Sequence, residues 1–356
     1  GCPPSEENEL VCNDDSCGLQ STAGYEVEAG EAYWIRVSGY NGASGSFTLG
    51  LSCAEPPPVG EGADITISSM SNIRQMGRLD DEVSISMQST ICNMGSESVD
   101  WYGNPDPRHP FLVFNLFRLQ EGRLEQIGQS WVKHGFSASQ TSGVCGLTCR
   151  RDPDGNLGSG CADIYGVTTN ASQRTFGPRH EINPWTGDFT YAGSHIDTTS
   201  SNHNPIQHRL TAKDADLDPA ANPGARYFVE LYTLSHDDSD HTNSIGWQEL
   251  DISGSPGDEW DFDFRQVIGN QGPALDAWEG GSRTVIPEGK LVDDGRCYLD
   301  VHVSQNPDGS YRYEYALYNL DLHRSVSSLS IPVGSDVTVS GIGFRAVESS
   351  EDGFNN

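Results

Sequence analysis

The sequence predicts an all-β protein, with a short strand-rich unit followed by a large β-sandwich domain decorated by long disulfide-tied loops. Three observations carry that expectation. Apolar and polar residues alternate over short runs, glycine (40) and proline (19) punctuate those runs throughout, and stretches with helical spacing are scarce. At 356 residues the chain has room for two or three domains, each with its own core apart from the short opening piece.

Charge narrows the function classes. With 51 acidic against 21 basic residues the formal charge is −30, which argues against nucleic acid or an anionic membrane as partner. The acid excess serves either solvation in salty surroundings or the binding of hard cations such as calcium, and solvation is the preferred reading. No apolar run approaches the roughly 20 residues that cross a bilayer. The chain opens directly on Gly1 and Cys2 without a leader, so the expectation for an exported protein is a mature form or a piece of one.

The first unit spans residues 1–55. Tyr33, Ile35 and Val37 alternate with Ala32, Trp34 and Arg36 as in a strand; Asn41-Gly42 and Ser44-Gly45 turn, and Phe47, Leu49 and Leu51 return. Cys2, Cys12, Cys17 and Cys53 in so short a unit read as two disulfides, and therefore as residence outside a reducing cytosol. A local bridge between Cys12 and Cys17 would close Asn13-Asp14-Asp15-Ser16, leaving Cys2 and Cys53 to join the ends, although the sequence leaves all three pairings open. Asp14 and Asp15 are candidate calcium ligands, with a solvated turn as the preferred reading. CNDDSCG followed by GEAYWIRVSGYNGASGSFTLGLSC resembles the C-terminal half of the pre-peptidase C-terminal domain, a jelly-roll β-sandwich appended to many secreted bacterial proteins. The resemblance implies a partial jelly-roll whose preceding strands are missing, and hence an open sheet edge for another segment or another chain to cover.

Residues 56–62, Pro56-Pro57-Pro58-Val59-Gly60-Glu61-Gly62, have the composition of a stiff linker, so the large β-sandwich domain is expected over 63–350. Asp64-Ile65-Thr66-Ile67 starts a strand, and Val83 to Asn93 alternates in an immunoglobulin-like opening. The run from His109 to Leu119 is a dense apolar strand that continues through the turn Glu121-Gly122-Arg123 into Leu124-Glu125-Gln126-Ile127. The strongest hairpin signal joins Cys297–Val303 to Tyr311–Tyr318 through Asn306-Pro307-Asp308-Gly309, and Val337-Thr338-Val339 and Ile342-Gly343-Phe344 close the series. Between residues 137 and 206 the periodicity gives way to Gly, Asn, Ser, Thr and Pro, an insertion far longer than most connections.

The candidate chemistry lies in and just beyond that insertion. Seven of the ten histidines fall between Trp131 and Trp247; of these His134, His180, His195, His208, His236 and His241 form the ligand pool for copper or zinc, and His203 lies among them. Cys145-Gly146-Leu147-Thr148-Cys149 is a CxxxC without a matching second pair, so Cys145, Cys149 and Cys161 read as disulfide partners. Together with Cys92 and Cys297 they make five cysteines in the second domain, so at least one lacks a partner there. In the densest polar cluster, Ser235 to Asn243, Asp237, Asp238 and Asp240 offer oxygen ligands and His236 with His241 offers nitrogen. Its spacing does not fit an EF-hand, and a solvated hairpin tip between Phe228–Tyr232 and Ile245–Trp247 is preferred.

Hydrolytic signatures are thin. No GxSxG elbow occurs, and Asp261 with Asp263 would share one strand face. Trp101, Trp131, Trp185, Trp247 and Trp278 would suit sugar stacking if exposed, but core burial is the commoner fate. SWVKHGF, GSGCADIYGVTTNASQ, FGPRHEINPWTGDF, YRYEYALYNLDLHRSVSSLSIPVG and VTVSGIGF together resemble a group of large secreted bacterial proteins without an assigned activity. That resemblance implies export, a β-rich extracellular domain, and sequence continuing beyond Asn356.

The resulting expectation is a secreted or cell-surface structural or adhesive protein, self-assembling through an open sheet edge as a homo-oligomer or filament. Two alternatives stand beside it: a secreted copper or zinc enzyme using the His-rich region 134–241, and a non-catalytic protein that binds polysaccharide. Calcium is the first expected ion, with copper or zinc second.

Overall fold

The computed structural model describes residues 27, 31–38, 44–51, 59–198, 202–265, 269–286, 295–323 and 326–347. Cys2, Cys12, Asp14, Asp15, Cys17 and Cys53 lie outside them, as do the three prolines Pro56, Pro57 and Pro58 of the linker.

The all-β expectation holds. Strands β1 (Ile65–Leu79) and β2 (Glu82–Asn93) form the opening hairpin, and β3 (Phe111–Gln120) and β4 (Arg123–His134) form the next. The second turn is made by Glu121 and Gly122, with φ of 49° and 76°; two successive positive φ values match the twist that a tight hairpin needs. The insertion contains only short elements: β5 (Ala162–Tyr165), helix α1 (Val167–Asn170), β6 (Phe176–Gly177) and helix α2 (His195–Thr198). Then come β7 (Leu210–Lys213), helix α3 (Asp214–Leu217), β8 (Arg226–Leu234), β9 (Ile245–Ser253), β10 (Asp261–Phe264) and β11 (Asn270–Gln271).

These strands make one sheet in the order β1-β2-β7-β4-β3-β8-β9-β10, with β5, β6 and β11 attached at its margins. The sheet curls until β9 and β10 lie beside β1, and side chains close the seam. Gln248 Oε1 accepts from Met70 N–H (2.6 Å), Gln271 Nε2 donates to the Ile67 carbonyl (2.9 Å), and Gln75 Oε1 accepts from Trp260 N–H (3.0 Å). The edge of β1 thereby gains the partners that an open strand would lack. Inside the curl, Ile65, Ile67, Ile85, Met87, Leu112, Phe114, Leu116, Val229, Leu231 and Trp260 form the main core.

A second sheet of β12 (Ser282–Ile286), β13 (Cys297–Gln305) and β14 (Tyr311–Asn319) carries the predicted C-terminal hairpin, with Tyr298 opposite Tyr318. It covers the outer face of the large sheet through Tyr298, Ala316 and Tyr318, which pack on Phe117, Phe228 and Trp278. The joint is also polar. Glu230, fully buried on β8, accepts from the Tyr318 hydroxyl, from Asn115 Nδ2 (2.8 Å) and from the Ala274 N–H (2.7 Å). Burial raises its pKa against those donors.

Cys92–Cys145 and Cys149–Cys161 are disulfides, so the two ends of the CxxxC pair elsewhere rather than with each other. Both bridges tie the insertion down, one to β2 and one within the insertion itself. Cys297 is the odd cysteine, buried as a free thiol on β13.

Two expected strand regions differ. Residues 31–38 and 44–51 carry no strand and are exposed, with Trp34 at 96% of its accessible area. Residues 337–339 and 342–344 likewise carry no strand, and Phe344 is 92% exposed. The physical reason is pairing. Alternation supplies an apolar face, but a strand is defined by ladder pairing of its backbone groups, and neither segment belongs to either sheet among the described residues.

Candidate functional site: two histidine groups

Six of the histidines gather where β3 and β4 meet the insertion and the β8–β9 loop: His236 in an open group, His109 with His134 as a buried pair, and His195, His203 and His208 in a closed group. In the open group, Asp100 from the β2–β3 connection meets His236 and Asp237 from the β8–β9 loop; one ligand atom of each lies within 4.8 Å of the others. The backbone builds this meeting. Asp100 N–H donates to Asp237 Oδ2 (2.8 Å), and Ser235 Oγ donates to Asp237 Oδ1 (2.6 Å), so both oxygens of the Asp237 carboxylate are held in place. His236 Nε2 stands 3.3 Å from Asp100 Oδ2. Partial burial and the neighbouring Asp237 raise the Asp100 pKa, against the opposing pull of His236 and Arg108. Gly187 makes room for this loop: a Cβ there would sit 2.9 Å from the His236 nitrogen.

Next to it lies a buried imidazole pair. His109 Nδ1 is 2.9 Å from the Asp106 carbonyl and His109 Nε2 is 3.0 Å from His134 Nδ1. A carbonyl only accepts, so His109 carries its proton on Nδ1 and accepts at Nε2; His134 must then donate from Nδ1. Nε2 of His134 is left as a bare lone pair, and it has no hydrogen-bond partner among the described residues. Burial brings the His109 pKa to about 4 and holds His134 well below the usual histidine range, so both rings are neutral at pH 7. The space beyond that nitrogen is kept by Gly177, where a Cβ would stand 2.8 Å from His134 Nε2 and 3.4 Å from Glu181 Oε2.

Glu181 leads to the closed group. Its Oε1 accepts from the His195 N–H (2.9 Å), fixing the start of α2. His195 meets Trp131 edge-on (ring centres 4.8 Å apart) and His208 edge-on (4.9 Å), and His203 lies 5.0 Å from His208. His208 stacks on the Trp131 indole at 3.9 Å. Its backbone is left-handed, with φ 69°, an uncommon state for histidine that turns its carbonyl onto the Trp131 N–H (3.0 Å). A cleft of about 520 Å3 lined by Glu181, Phe189 and Ser194 opens beside this group, and Phe189 also packs edge-on against His134.

The remaining sequence candidates fall elsewhere. Asp238 is buried and accepts from the Ile65 N–H (3.2 Å), joining the β8–β9 loop to β1. Asp240 accepts from Thr242 N–H (2.9 Å) and Oγ1 (2.5 Å), capping its own turn, and those donors lower its pKa. His241 Nε2 faces the Asp238 carbonyl (3.0 Å) while its ring tilts against Trp185. His180 is exposed on the turn before Glu181 and joins neither group. Trp101, Trp131 and Trp278 are buried, Trp185 and Trp247 half-buried, and Asp261 and Asp263 share one exposed face of β10. Sequence reasoning missed Asp100, His109 and Glu181. It also missed Lys133, fully buried with Nζ 3.7 Å from the centre of the Tyr165 ring, whose pKa burial depresses to about 7.

No protein-family model matches the chain, and no curated protein or solved structure matches it either. Among the described residues no helix is long and apolar enough to cross a membrane.

Proposed function

We propose that this chain is an extracellular metal-binding β protein whose centre is Asp100–His236–Asp237. The observation that supports it is the convergence of one nitrogen and two carboxylate ligands within 4.8 Å, on a loop whose carboxylate is already oriented by backbone and serine donors. Two oxygens and one imidazole suit a borderline or hard divalent ion such as zinc or manganese better than copper(I). Three protein ligands on an open surface leave coordination positions for water or a substrate oxygen. Export rests on the two disulfides, which persist in oxidising compartments. Isothermal titration of the full chain with zinc, manganese and calcium tests the reading. One equivalent bound by the wild type and lost in Asp237→Ala supports it; equal binding by the two proteins overturns it.

A second reading, structural or adhesive assembly, is favoured by the exposed apolar segments. Trp34, Ile342 and Phe344 present 96%, 86% and 92% of their area, more than a protein alone in water usually leaves uncovered in such runs. Analytical ultracentrifugation of the full chain against a Trp34→Ser, Phe344→Ser double variant tests it. Self-association that disappears in the variant supports assembly, and a wild type that stays monomeric across the accessible concentration range counts against it.

A further inference from the structure

Resting on the Asp100–His236–Asp237 reading, we propose that Arg108 makes that centre a receptor for a carboxylate, with one carboxylate oxygen on the bound ion and the other on Arg108 Nη1. The turn that follows Asp100 builds the arginine into place. Tyr102 N–H donates to the Arg108 carbonyl (2.9 Å), and the Tyr102 ring centre lies 4.4 Å from the guanidinium carbon above it. Asp106 takes one edge of the guanidinium, its Oδ1 accepting from Nε (3.1 Å) and its Oδ2 from Nη2 (2.8 Å). Nη1 is the end left over. It has no hydrogen-bond acceptor among the described residues and stands 3.8 Å from Asp100 Oδ2.

A simple counter-ion for Asp100 would be placed differently. At 3.8 Å Nη1 is too far from that carboxylate to hydrogen-bond to it, and Asp106 already matches the Arg108 charge on its other edge. An arginine held by a carboxylate and an aromatic face loses little freedom when it takes one more acceptor. Its remaining N–H groups are set for an oxygen from a ligand.

The ion supplies the other half of the receptor. His236 Nε2 faces the same Asp100 oxygen at 3.3 Å, so the metal ligands and the guanidinium meet at one atom. With a metal–oxygen bond of about 2.0–2.2 Å, an ion on Asp100 Oδ2 and Arg108 Nη1 are no more than about 6 Å apart. Two positive centres that close are an oxyanion clamp. A carboxylate has the reach, because its two oxygens can ligate the ion and accept from Nη1 together.

Charge selects the carboxylate among oxyanions. Asp100 and Asp237 balance a divalent ion and Asp106 balances Arg108, so the loaded centre is close to neutral on a chain whose formal charge is −30. A doubly charged sulfate or phosphate ester meets more of that repulsion than a monoanion offering the same two oxygens.

The test is calorimetric titration of the full chain with manganese chloride and with zinc chloride, in chloride, acetate and sulfate buffers of equal ionic strength. Acetate is expected to raise the metal affinity of the wild type about fivefold or more over chloride, because a carboxylate that prefers the loaded centre must favour loading in return. Arg108→Ala is expected to hold the metal at least as tightly in chloride and to lose the acetate effect. Arg108→Lys, which keeps the charge without the planar fork, is expected to lose most of it. Thermal melts check the fold of both variants. N-acetylglycine and glucuronate then replace acetate: the larger enhancement by the first assigns a peptide end and by the second an acidic sugar, and either supports the receptor. Metal bound by the wild type without an acetate effect, or an acetate effect that survives in folded Arg108→Ala, overturns the receptor and leaves the metal centre standing. Neither metal bound by the wild type overturns both. Sulfate acting more strongly than acetate overturns the choice of carboxylate.

Discussion

Asp100–His236–Asp237 and Trp131–His195–His203–His208 flank the same buried His109–His134 pair, yet they use histidine in opposite ways. In the open group the imidazole is exposed and works beside two carboxylates, so charge is available and water competes with every contact. In the closed group His208 is almost fully buried and burial lowers the pKa of all three histidines, that of His208 to about 4. Neutral lone pairs replace charge there, and an indole plane replaces solvent. The contrast teaches that position relative to water, rather than residue type, decides which of these imidazoles burial holds neutral.

The strongest test of that contrast concerns Lys133, buried just across β4 from His134. If burial suppresses charge on this side of the molecule, Lys133 must show it. In the unfolded chain Lys133 is protonated below about 10.5, but in the folded protein only below about 7, so the unfolded state holds more protons between those values. Stability therefore rises with pH across that window. Lys133→Met is expected to flatten this rise and to stabilise the protein by about 2–4 kcal/mol near pH 7, as read from urea unfolding at several pH values. A variant with the wild-type slope would break the comparison at its base.

Gly177→Ala comes next. Its Cβ would meet His134 Nε2 at 2.8 Å, and the crowding is expected to cost about 1–3 kcal/mol in thermal or urea unfolding. Zinc or manganese binding at the open group is expected to be retained, since Gly177 borders His134 and Glu181 and not Asp100, His236 or Asp237. Loss of that binding in a folded variant would mean that the two groups are coupled.

Asp237→Asn should act in the reverse direction, reducing affinity at the open group about 10- to 100-fold by calorimetry while changing the unfolding midpoint little, since the site is solvent-facing. The smallest effect is expected for Arg108→Ala. Arg108 pairs with Asp106 (2.8 Å) and reaches towards Asp100 (3.8 Å), so its loss removes a competing cation from an exposed ligand. A rise in metal affinity of no more than a few-fold, with unchanged melting temperature, would fit the weak coupling of exposed charges.

Strands were legible in the sequence where alternation coincided with a turn of demanding chemistry. Glu121-Gly122 and Asn306-Pro307-Asp308-Gly309 each marked a hairpin that forms, with Gly309 at φ 87°. Where alternation stood alone, as at Tyr33-Trp34-Ile35 or Val337-Thr338-Val339, it named a face without naming what pairs with it. β7 was missed for the opposite reason: four residues are too few to show a period, and its place in the sheet comes from β2 and β4 on either side. Within the site, His236 and Asp237 stood out because they are adjacent in a polar run. Asp100 did not, because its role depends on a backbone hydrogen bond across 137 positions. His109 was read as the start of an apolar strand. Its partner His134, 25 residues on, becomes visible only when β3 and β4 pair and set Phe111 opposite His134.

The seam that closes the large sheet also imposes an order of events on folding. Its three glutamine contacts join positions 178, 185 and 204 residues apart, so β1 has no complete set of partners until the chain has been made as far as Gln271. A ring closed across such separations is slow to form, because loop entropy is lost before the distant contacts repay it. During that wait β1 is a bare strand edge open to any other β1 in the vicinity. Crowding during synthesis, more than heat applied to the finished molecule, is therefore where this protein is most exposed to misassembly.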